Sequence, residues 1–224
     1  MDPIGQDELA GLFARLREVF TQQRETLIAL DGKVGDSDLG ITMNKGFIAA
    51  HEAVAAAGAD DGIGKRLQMA GMAIAKAAPS TMGTLTATGF MRGGKALAVS
   101  QAAAIGTAEL AAFWRAYHDG VVERGKAKPG DKTLVDVLGP LAASLEASAA
   151  AGLPLLQALD EAAQVAAQAL EATKTMTAQH GKAAVFREQS VGLQDAGATV
   201  GFLIIQTMRD HVLQAGRSAA GTPS

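Results

Sequence analysis

The stretch LAAFWRAYHDGV, residues 110–121, indicates the fold class of this chain of 224 residues. Its apolar side chains recur at steps of three and four residues, which is the spacing of an amphipathic α-helix with one buried face. They are Leu110, Phe113, Trp114, Tyr117 and Val121. Two further stretches repeat the spacing, with Leu9, Leu12, Phe13, Leu16, Val19 and Phe20 in one and Leu134, Val137, Leu138, Leu141 and Leu145 in the other. Because no stretch of the sequence alternates like a strand, an all-α fold is predicted.

Glycine, proline and polar clusters divide the chain into about eight helices. The predicted helices cover residues 6–30, 41–57, 63–78, 84–102, 107–125, 132–150, 154–180 and 195–215. Pro154 suits the first turn of its helix, and Asp131 is expected to cap the helix that begins at Lys132. The many alanines allow helices to approach closely. The sequence therefore predicts a single domain over residues 1–224, built as an antiparallel eight-helix barrel or bundle.

Composition narrows the class of protein. The 48% of hydrophobic residues suffices for a full core, and the 20 basic and 23 acidic residues are spread along the chain without a basic block. Nucleic acid is therefore not expected as a partner. The absence of cysteine excludes disulfides and thiolate metal sites. The acidic start of the chain does not fit a signal peptide, and no apolar run approaches the roughly 18 residues that cross a bilayer, so a cytoplasmic protein without a membrane partner is expected.

The first predicted junction, DGKVGDSDLG, carries three aspartates, Asp31, Asp36 and Asp38. Three carboxylates in one short loop repel one another, which raises their pKa values unless a cation or hydrogen-bond donors offset the repulsion. Oxygen ligands without histidine or cysteine nearby favour Mg²⁺ or Ca²⁺ over zinc. The loop is thus a candidate metal site.

The loop has two other possible interpretations, a calcium-binding EF-hand and a purely structural turn. An EF-hand does not fit, because the twelfth position counted from Asp31 or Asp36 is a threonine or a phenylalanine rather than the required glutamate. The simpler interpretation is structural, with Asp36 or Asp38 capping the next helix and Asp31 ending the first.

The other polar, glycine-bearing junctions support a ligand site. In an antiparallel bundle, the junctions after helices one, three, five and seven share one end, so Gly83, Gly130 and Gly197 are expected at the same rim as the aspartates. Backbone amides at a helix start near Gly40 would face a bound anion, with Thr42 and Asn44 as further donors. Each glycine alone is better explained by a turn, and no Walker motif is present.

Four segments resemble, in order, the nucleotide-binding L subunit of dihydroxyacetone kinases, which also occurs as the C-terminal domain of single-chain dihydroxyacetone kinases. They are LDGKVGDSDLGITMNKGF, GTLTATGFMRGGKAL, GKAKPGDKTLVDVLGP and GKAAVFREQSVGLQDAGAT. The resemblance implies an eight-helix barrel that holds ADP or ATP at one end through two Mg²⁺ ions, with Asp31, Asp36 and Asp38 as the metal ligands.

The resemblance also implies the remaining nucleotide contacts. Residues expected against the phosphates are Leu39, Gly40, Ile41, Thr42, Met82 and Gly83. Residues expected near the base are Gly125 and Leu134, and those along the other side of the nucleotide are Asp195, Ala196 and Gly197.

The chain departs from the family pattern at several of these positions. Leu39 and Leu193 replace histidines, Met82 replaces a serine and Ala196 replaces a proline. The family's GERS reads REQS here, so that Gln189 stands in place of its arginine while Arg187 lies two residues earlier. Arg187 is therefore the candidate catalytic residue, expected to neutralise charge on the transferring phosphoryl group.

The resemblance implies half of a kinase for dihydroxyacetone or another short ketose. In the family, a separate K-type subunit holds the sugar through a histidine, and in some relatives a phosphotransferase-system protein supplies the phosphoryl group. The histidines of this chain are expected to be surface or packing residues; they are His51, His118, His180 and His211. Two alternatives stay open: a nucleotide-binding regulatory module, and a carrier of an apolar ligand such as a fatty acid, since the fatty-acid kinases have a related nucleotide domain.

Overall fold

Ten α-helices and two 3₁₀ turns form the secondary structure of residues 3–220, the part that the computed structural model describes, with side chains as far as residue 217. The helices are α1 (Gln6–Gln22), α2 (Arg24–Asp31), α3 (Leu39–Ala55), α4 (Ile63–Ala77), α5 (Thr81–Val99), α6 (Thr107–Gly125), α7 (Val135–Ala150), α8 (Leu155–Ala172), α9 (Ala183–Phe186) and α10 (Ala196–Ala220). The described residues contain one isolated bridge, between Ile4 and Ile105, and no strand. The all-α prediction is confirmed.

Eight of the helices form a closed ring. Going round it, α1 packs on α3, and α4, α5, α6, α7, α8 and α10 follow until α10 returns to α1. The short helix α2 lies against α3. Short connections make neighbours along the chain antiparallel, as in helical bundles. Among residues 3–220, no helix is both long enough and apolar enough to cross a membrane.

Aromatic side chains fill the inside of the ring. Those that are fully buried are Phe13, Phe20, Phe47, Phe90, Phe113, Trp114 and Tyr117. The rings of Phe20 and Phe47 stack with centroids 4.1 Å apart. Helix α5 reaches α6 closely because it presents glycine there: a Cβ on Gly89 would lie 2.3 Å from the Tyr117 ring. The ring is therefore a packed core and not a pore.

Two predicted helices end or break early because threonine side chains bond to the backbone. The predicted helix 6–30 is interrupted at Gln23, where α1 ends. One turn before, the Thr21 hydroxyl donates to the Arg17 carbonyl, a bond that bends helices. The predicted helix 154–180 ends at Ala172. There the Thr173 hydroxyl donates to the Leu170 carbonyl, and a 3₁₀ turn follows.

The predicted start of the sixth helix at Lys132, and its cap by Asp131, are wrong. Lys132 has φ of +59°, and α7 begins only at Val135. The carboxylate of Asp136 accepts from the Thr133 amide at 2.7 Å and from Gly130 at 2.5 Å, so a turn precedes the helix. Asp131 instead accepts from the Lys128 amide.

The segment before α10 also differs from the sequence analysis. The predicted helices leave residues 181–194 without a helix, whereas the chain forms the short helix α9 followed by a 3₁₀ turn over Arg187–Ser190. The Ser190 hydroxyl donates to the Arg187 carbonyl and accepts from the Ala178 amide, which closes this turn and attaches it to the chain after α8.

Candidate functional site

The three aspartates of the first junction lie together at one end of the ring. Asp31 is the last residue of α2, and Asp38 immediately precedes α3. One carboxylate oxygen from each of Asp31, Asp36 and Asp38 lies within 4.8 Å of the others. Asp31 is half-buried, whereas Asp36 and Asp38 are exposed. The structure thus brings together the residues predicted to bind metal.

The backbone of the loop is shaped around the Asp31 carboxylate. Asp31 Oδ2 accepts from the Asp38 amide at 3.0 Å and from the Leu39 amide at 3.4 Å. A Cβ on Gly35 would lie 2.2 Å from Asp31 Oδ1, so only glycine fits there. The capping interpretation therefore fails for Asp38, which makes no side-chain cap bond, and applies to Asp31 instead.

The electrostatics of the cluster fit a hard cation. Burial and the charges of Asp36 and Asp31 raise the pKa of Asp38, and Lys182 opposes them. The Lys182 amine donates to Asp36 Oδ2, and this bond raises the pKa of the amine. Three convergent carboxylates whose repulsion is offset by one exposed lysine are a donor set that suits Mg²⁺.

The start of α3 provides backbone donors beside the aspartates. Gly40 is buried against α2. A Cβ there would lie 2.1 Å from the Arg24 carbonyl oxygen, so the position requires glycine. The amides of Gly40 and Ile41 belong to the first turn, where N–H groups have no intrahelical acceptor. The Thr42 amide bonds to the Asp38 carbonyl. Asn44, expected as a further donor, instead donates to the Thr21 hydroxyl.

The start of α5 is a tight capped turn. The Ser80 hydroxyl accepts from the Gly83 amide at 3.0 Å, so that this amide is already paired. A Cβ on Gly83 would lie 1.9 Å from the Ala78 carbonyl oxygen, which explains the glycine by packing. The remaining first-turn amides at this end are those of Thr81 and Met82.

A second group of the predicted residues meets where α5, α7 and α10 begin. A Cβ on Gly197 would lie 3.3 Å from Met82 Sδ, 3.7 Å from the Leu134 amide nitrogen and 3.2 Å from Asp195 Oδ2. Ala196 is the first residue of α10 beside them. Gly125 ends α6, where a Cβ would approach the Leu85 side chain to 3.2 Å.

Asp195 connects this group to α10. Its Oδ2 accepts from the Ala198 amide at 2.6 Å, in the first turn of the helix. Burial raises the pKa of Asp195 to about 6, against the opposing effects of that hydrogen bond and of Lys132. A carboxylate with a raised pKa at a rim of helix ends is typical of functional sites, although packing also produces such shifts.

Lys132 is a residue that the sequence analysis missed. It is 3% exposed, and its amine donates to the carbonyl oxygens of Ser190 at 2.5 Å, Leu193 at 2.7 Å and Met176 at 3.2 Å. Burial lowers the pKa of this amine. The lysine thus fixes the segment between α8 and α10 to the rim. The only signal in the sequence is a lysine inside the glycine-bearing loop PGDKT.

The neighbouring residues reinforce this attachment. The Asp131 carbonyl accepts from the Gln179 amide at 3.0 Å, and the Asp131 carboxylate lies 2.8 Å from His180 Nε2. The buried Thr173 hydroxyl accepts from the Asp195 amide at 3.1 Å, which joins the two ends of segment 173–195 to each other. The segment is therefore closed on itself and bonded to the loop before α7 through Asp131 and Lys132.

Arg187 does not reach the aspartates in this structure. It is exposed, has φ of +34°, and its guanidinium forms no ion pair with any residue that the structure describes. The basic group that meets the cluster is Lys182, which the sequence analysis did not single out. The same segment exposes two apolar side chains, Val185 at 82% and Phe186 at 39%.

Comparisons with known proteins identify the relatives of this chain. The DAK2 domain matches residues 33–210. The chain is 35% identical over 205 residues to the ADP-binding subunit DhaL of the PEP-dependent dihydroxyacetone kinase of Escherichia coli K12, covering 92% of this chain and 96% of that protein. It is also 35% identical over 210 residues to a D-erythrulose kinase of Mycolicibacterium smegmatis, covering 91% of this chain.

A solved structure has the same fold. The dihydroxyacetone kinase from C. freundii, crystallised in complex with AMP-PNP and Mg²⁺, superposes with a TM-score of 0.70 at 20% identity over 94% of this chain. This chain spans 35% of the length of that kinase chain and 35% of the erythrulose kinase. From the matched residues 33–210 and the identity to DhaL along nearly the whole length of both chains, we conclude that this protein belongs to the DAK2 domain family, as a relative of the L subunit of dihydroxyacetone kinase.

Proposed function

We propose that this chain is the nucleotide-binding phosphotransfer subunit of a kinase that acts on dihydroxyacetone or another short ketose. The observation that carries the proposal is the set of three aspartate oxygens within 4.8 Å of one another, beside the first-turn amides of α3. The relatives named as kinases and as an ADP-binding subunit support it.

In this proposal, Asp31, Asp36 and Asp38 hold two Mg²⁺ ions. Bound there, Mg²⁺ supplies charge neutralisation for phosphate oxygens. Asp31 accepts hydrogen bonds from the Asp38 and Leu39 amides, which fix the loop around its carboxylate. The order of the loop lowers the entropy that binding would otherwise cost.

The other residues of the rim hold ADP or ATP. The Gly40 and Ile41 amides face the phosphates, with the Thr42 side chain beside them, and the α5 start contributes through Met82 rather than through the paired amide of Gly83. Leu39 also lies on the phosphate side, and the residues assigned to the base and its far side are Gly125, Leu134, Asp195, Ala196 and Gly197. Helix starts are suited to bind anions because their amides and dipoles point outward.

The chain requires a partner for catalysis. None of the four histidines lies in the aspartate cluster. His180 pairs with Asp131 and His118 with Asp119, His51 lies towards the far end of α3, and His211 is half-buried in the ring wall. A separate K-type subunit would therefore hold the sugar. The exposed Val185 and Phe186 offer an apolar surface for it next to the aspartates. ATP or a phosphotransferase-system protein would supply the phosphoryl group, and the cytoplasmic location stays a prediction.

A regulatory module that binds nucleotide without transferring phosphoryl is the second candidate, because Gln189 cannot supply positive charge and Arg187 forms no ion pair with the aspartates. The apolar-carrier interpretation is not favoured. The aromatic cluster fills the ring, and the apolar cavity lined by Ile4, Leu9, Leu12, Leu67, Ile105, Leu110, Phe113 and Met208 measures about 10 Å³, too small for an acyl chain.

A thermal-shift experiment tests the proposed function. ADP with Mg²⁺ should raise the melting temperature, and ligand at about 100 times its dissociation constant should stabilise the fold by about 2.7 kcal/mol. Asp38→Ala should remove most of this gain, whereas Asp60→Ala, at an exposed aspartate of the opposite end, should keep it. If the wild type shows no Mg²⁺-dependent shift with either ADP or ATP, the site assignment is wrong.

A further inference from the structure

Lys182 bridges two parts of the chain that are 146 residues apart. Its amine donates to Asp36 Oδ2 from the segment between α8 and α10. Among the described residues, no other lysine or arginine forms an ion pair with Asp31, Asp36 or Asp38. Lys182 is therefore the basic side chain that the fold brings to the acidic cluster.

Lys182 lies on the solvent side of the three aspartates. Asp31 is half-buried and bonded to backbone amides, whereas Asp36, the partner of Lys182, is 39% exposed. The amine thus lies over the outer edge of the site. Because a substrate on a partner subunit can reach the site only from solvent, this edge is where a transferred phosphoryl group would leave.

The amine is free to move away from Asp36. The Lys182 side chain is 63% exposed, and the preceding Gly181 has φ of +63° with open space around it. In contrast, the residues on either side are fixed, by the His180–Asp131 pair before it and by the Lys132–Ser190 bond after it. A movement of Lys182 therefore leaves the rest of the segment in place.

On the basis of the function proposed above, we propose that Lys182 is a specificity-determining residue that contacts the terminal phosphoryl group of a nucleoside triphosphate. A divalent cation at Asp36 competes for the oxygen that the amine contacts and repels its charge. With cations held by the aspartates, a terminal phosphate would be the nearest available anion on their solvent side. A diphosphate has no group at that point, so Lys182 distinguishes triphosphate from diphosphate.

Calorimetric titrations of three variants test this inference with Mg²⁺ alone, with ADP plus Mg²⁺ and with AMP-PNP plus Mg²⁺. Lys182→Met should bind Mg²⁺ alone about two- to fivefold more tightly, the size of one exposed ion pair. The same variant should bind AMP-PNP about tenfold more weakly, as expected for a lost charge-assisted hydrogen bond, with ADP affinity changed less than about twofold. Lys182→Arg should retain AMP-PNP binding.

The matched control is Lys33→Met, at an exposed lysine in the aspartate loop that pairs with none of the three carboxylates. Equal effects of Lys33→Met and Lys182→Met, or equal losses of ADP and AMP-PNP affinity in Lys182→Met, overturn the inference while the proposed function stands. A wild-type protein that binds neither nucleotide overturns the proposed function, and the inference with it.

Discussion

The amine of Lys132 donates to the Ser190 carbonyl oxygen at 2.5 Å, joining the loop before α7 to the turn before α10. These residues are 58 positions apart, and the lysine is almost fully buried. The bond determines where Lys182, Val185 and Arg187 stand relative to the aspartates.

Replacing this lysine should loosen the segment that it holds. Lys132→Met leaves three carbonyl groups without their donor, which should lower the free energy of unfolding by about 1–3 kcal/mol. Hydrogen exchange should rise in residues 176–193 more than in the ring helices. Lys128→Met, at an exposed lysine of the same loop, is the control. Unchanged exchange in Lys132→Met would show that the segment is held by other contacts.

The free energy of unfolding of the wild type should depend on pH through Asp195. Burial raises the pKa of Asp195 in the folded protein to about 6, above its ordinary value of 3.8. The folded state therefore binds this proton more tightly, and the associated stability is present below about pH 4 and lost as the pH rises through about 6. Denaturation between pH 4 and 8 without nucleotide should show this loss, and Asp195→Asn should not. Parallel curves for the two proteins would contradict the assignment.

Gly83 should not tolerate a side chain. Its Cβ would lie 1.9 Å from a backbone oxygen, so Gly83→Ala should lower the free energy of unfolding by about 1–3 kcal/mol through displacement of the α5 start. Gly62→Ala is the matched control, since nothing lies within 4 Å of the added atom. Thermal unfolding measures both, and similar melting temperatures would refute the predicted clash.

Arg187 remains the predicted catalytic residue when the partner subunit is docked. Arg187→Ala, assayed with that partner, should lower kcat with nucleotide affinity little changed, up to the roughly 10³-fold that an arginine on a phosphoryl group supplies. Gln189→Arg should restore part of the rate. Arg124→Ala, at an exposed arginine of the same rim, should have no effect. If Arg187→Ala keeps the wild-type kcat, the positive charge that neutralises the phosphoryl group comes from Lys182 or from the partner.

The apolar side chains beside the aspartates should contact the partner. Val185 is 82% exposed, so Val185→Ser should leave the melting temperature unchanged. The same change should weaken binding of the K-type subunit about tenfold, as expected for the loss of a hot-spot side chain. Val99→Ser, at a valine 76% exposed on the opposite end, is the control. The isolated wild-type chain should not phosphorylate dihydroxyacetone, and robust activity alone would contradict the need for a partner.

The helical ring was predictable because it depends on apolar spacing. Helices α4 and α6 agree with their predicted limits to within one residue. Helix ends were less predictable where a side chain bonds to the backbone, as Thr173 does at the end of α8 and Asp136 before α7. Such bonds depend on local geometry that an apolar pattern does not record.

The same distinction applies to the site. The aspartates were predictable because all three lie within eight residues of sequence. Lys132 and Lys182 were not, because each meets its partners only after segment 173–195 folds back over the rim. The glycines lie at the predicted end of the ring. At Gly40 and Gly83, however, tight packing against a backbone oxygen is what requires glycine.

The closure of the ring by α1 and α10 has a consequence for how the protein is synthesised. Contacts between segments that are far apart in the sequence form late, because the intervening segment must be ordered first. Asp195 and Gly197 lie at the start of α10, which is synthesised after the other helices of the ring. A nascent chain that lacks α10 exposes the apolar faces of α1 and α8, so premature termination before this helix should produce an aggregating species without a complete rim.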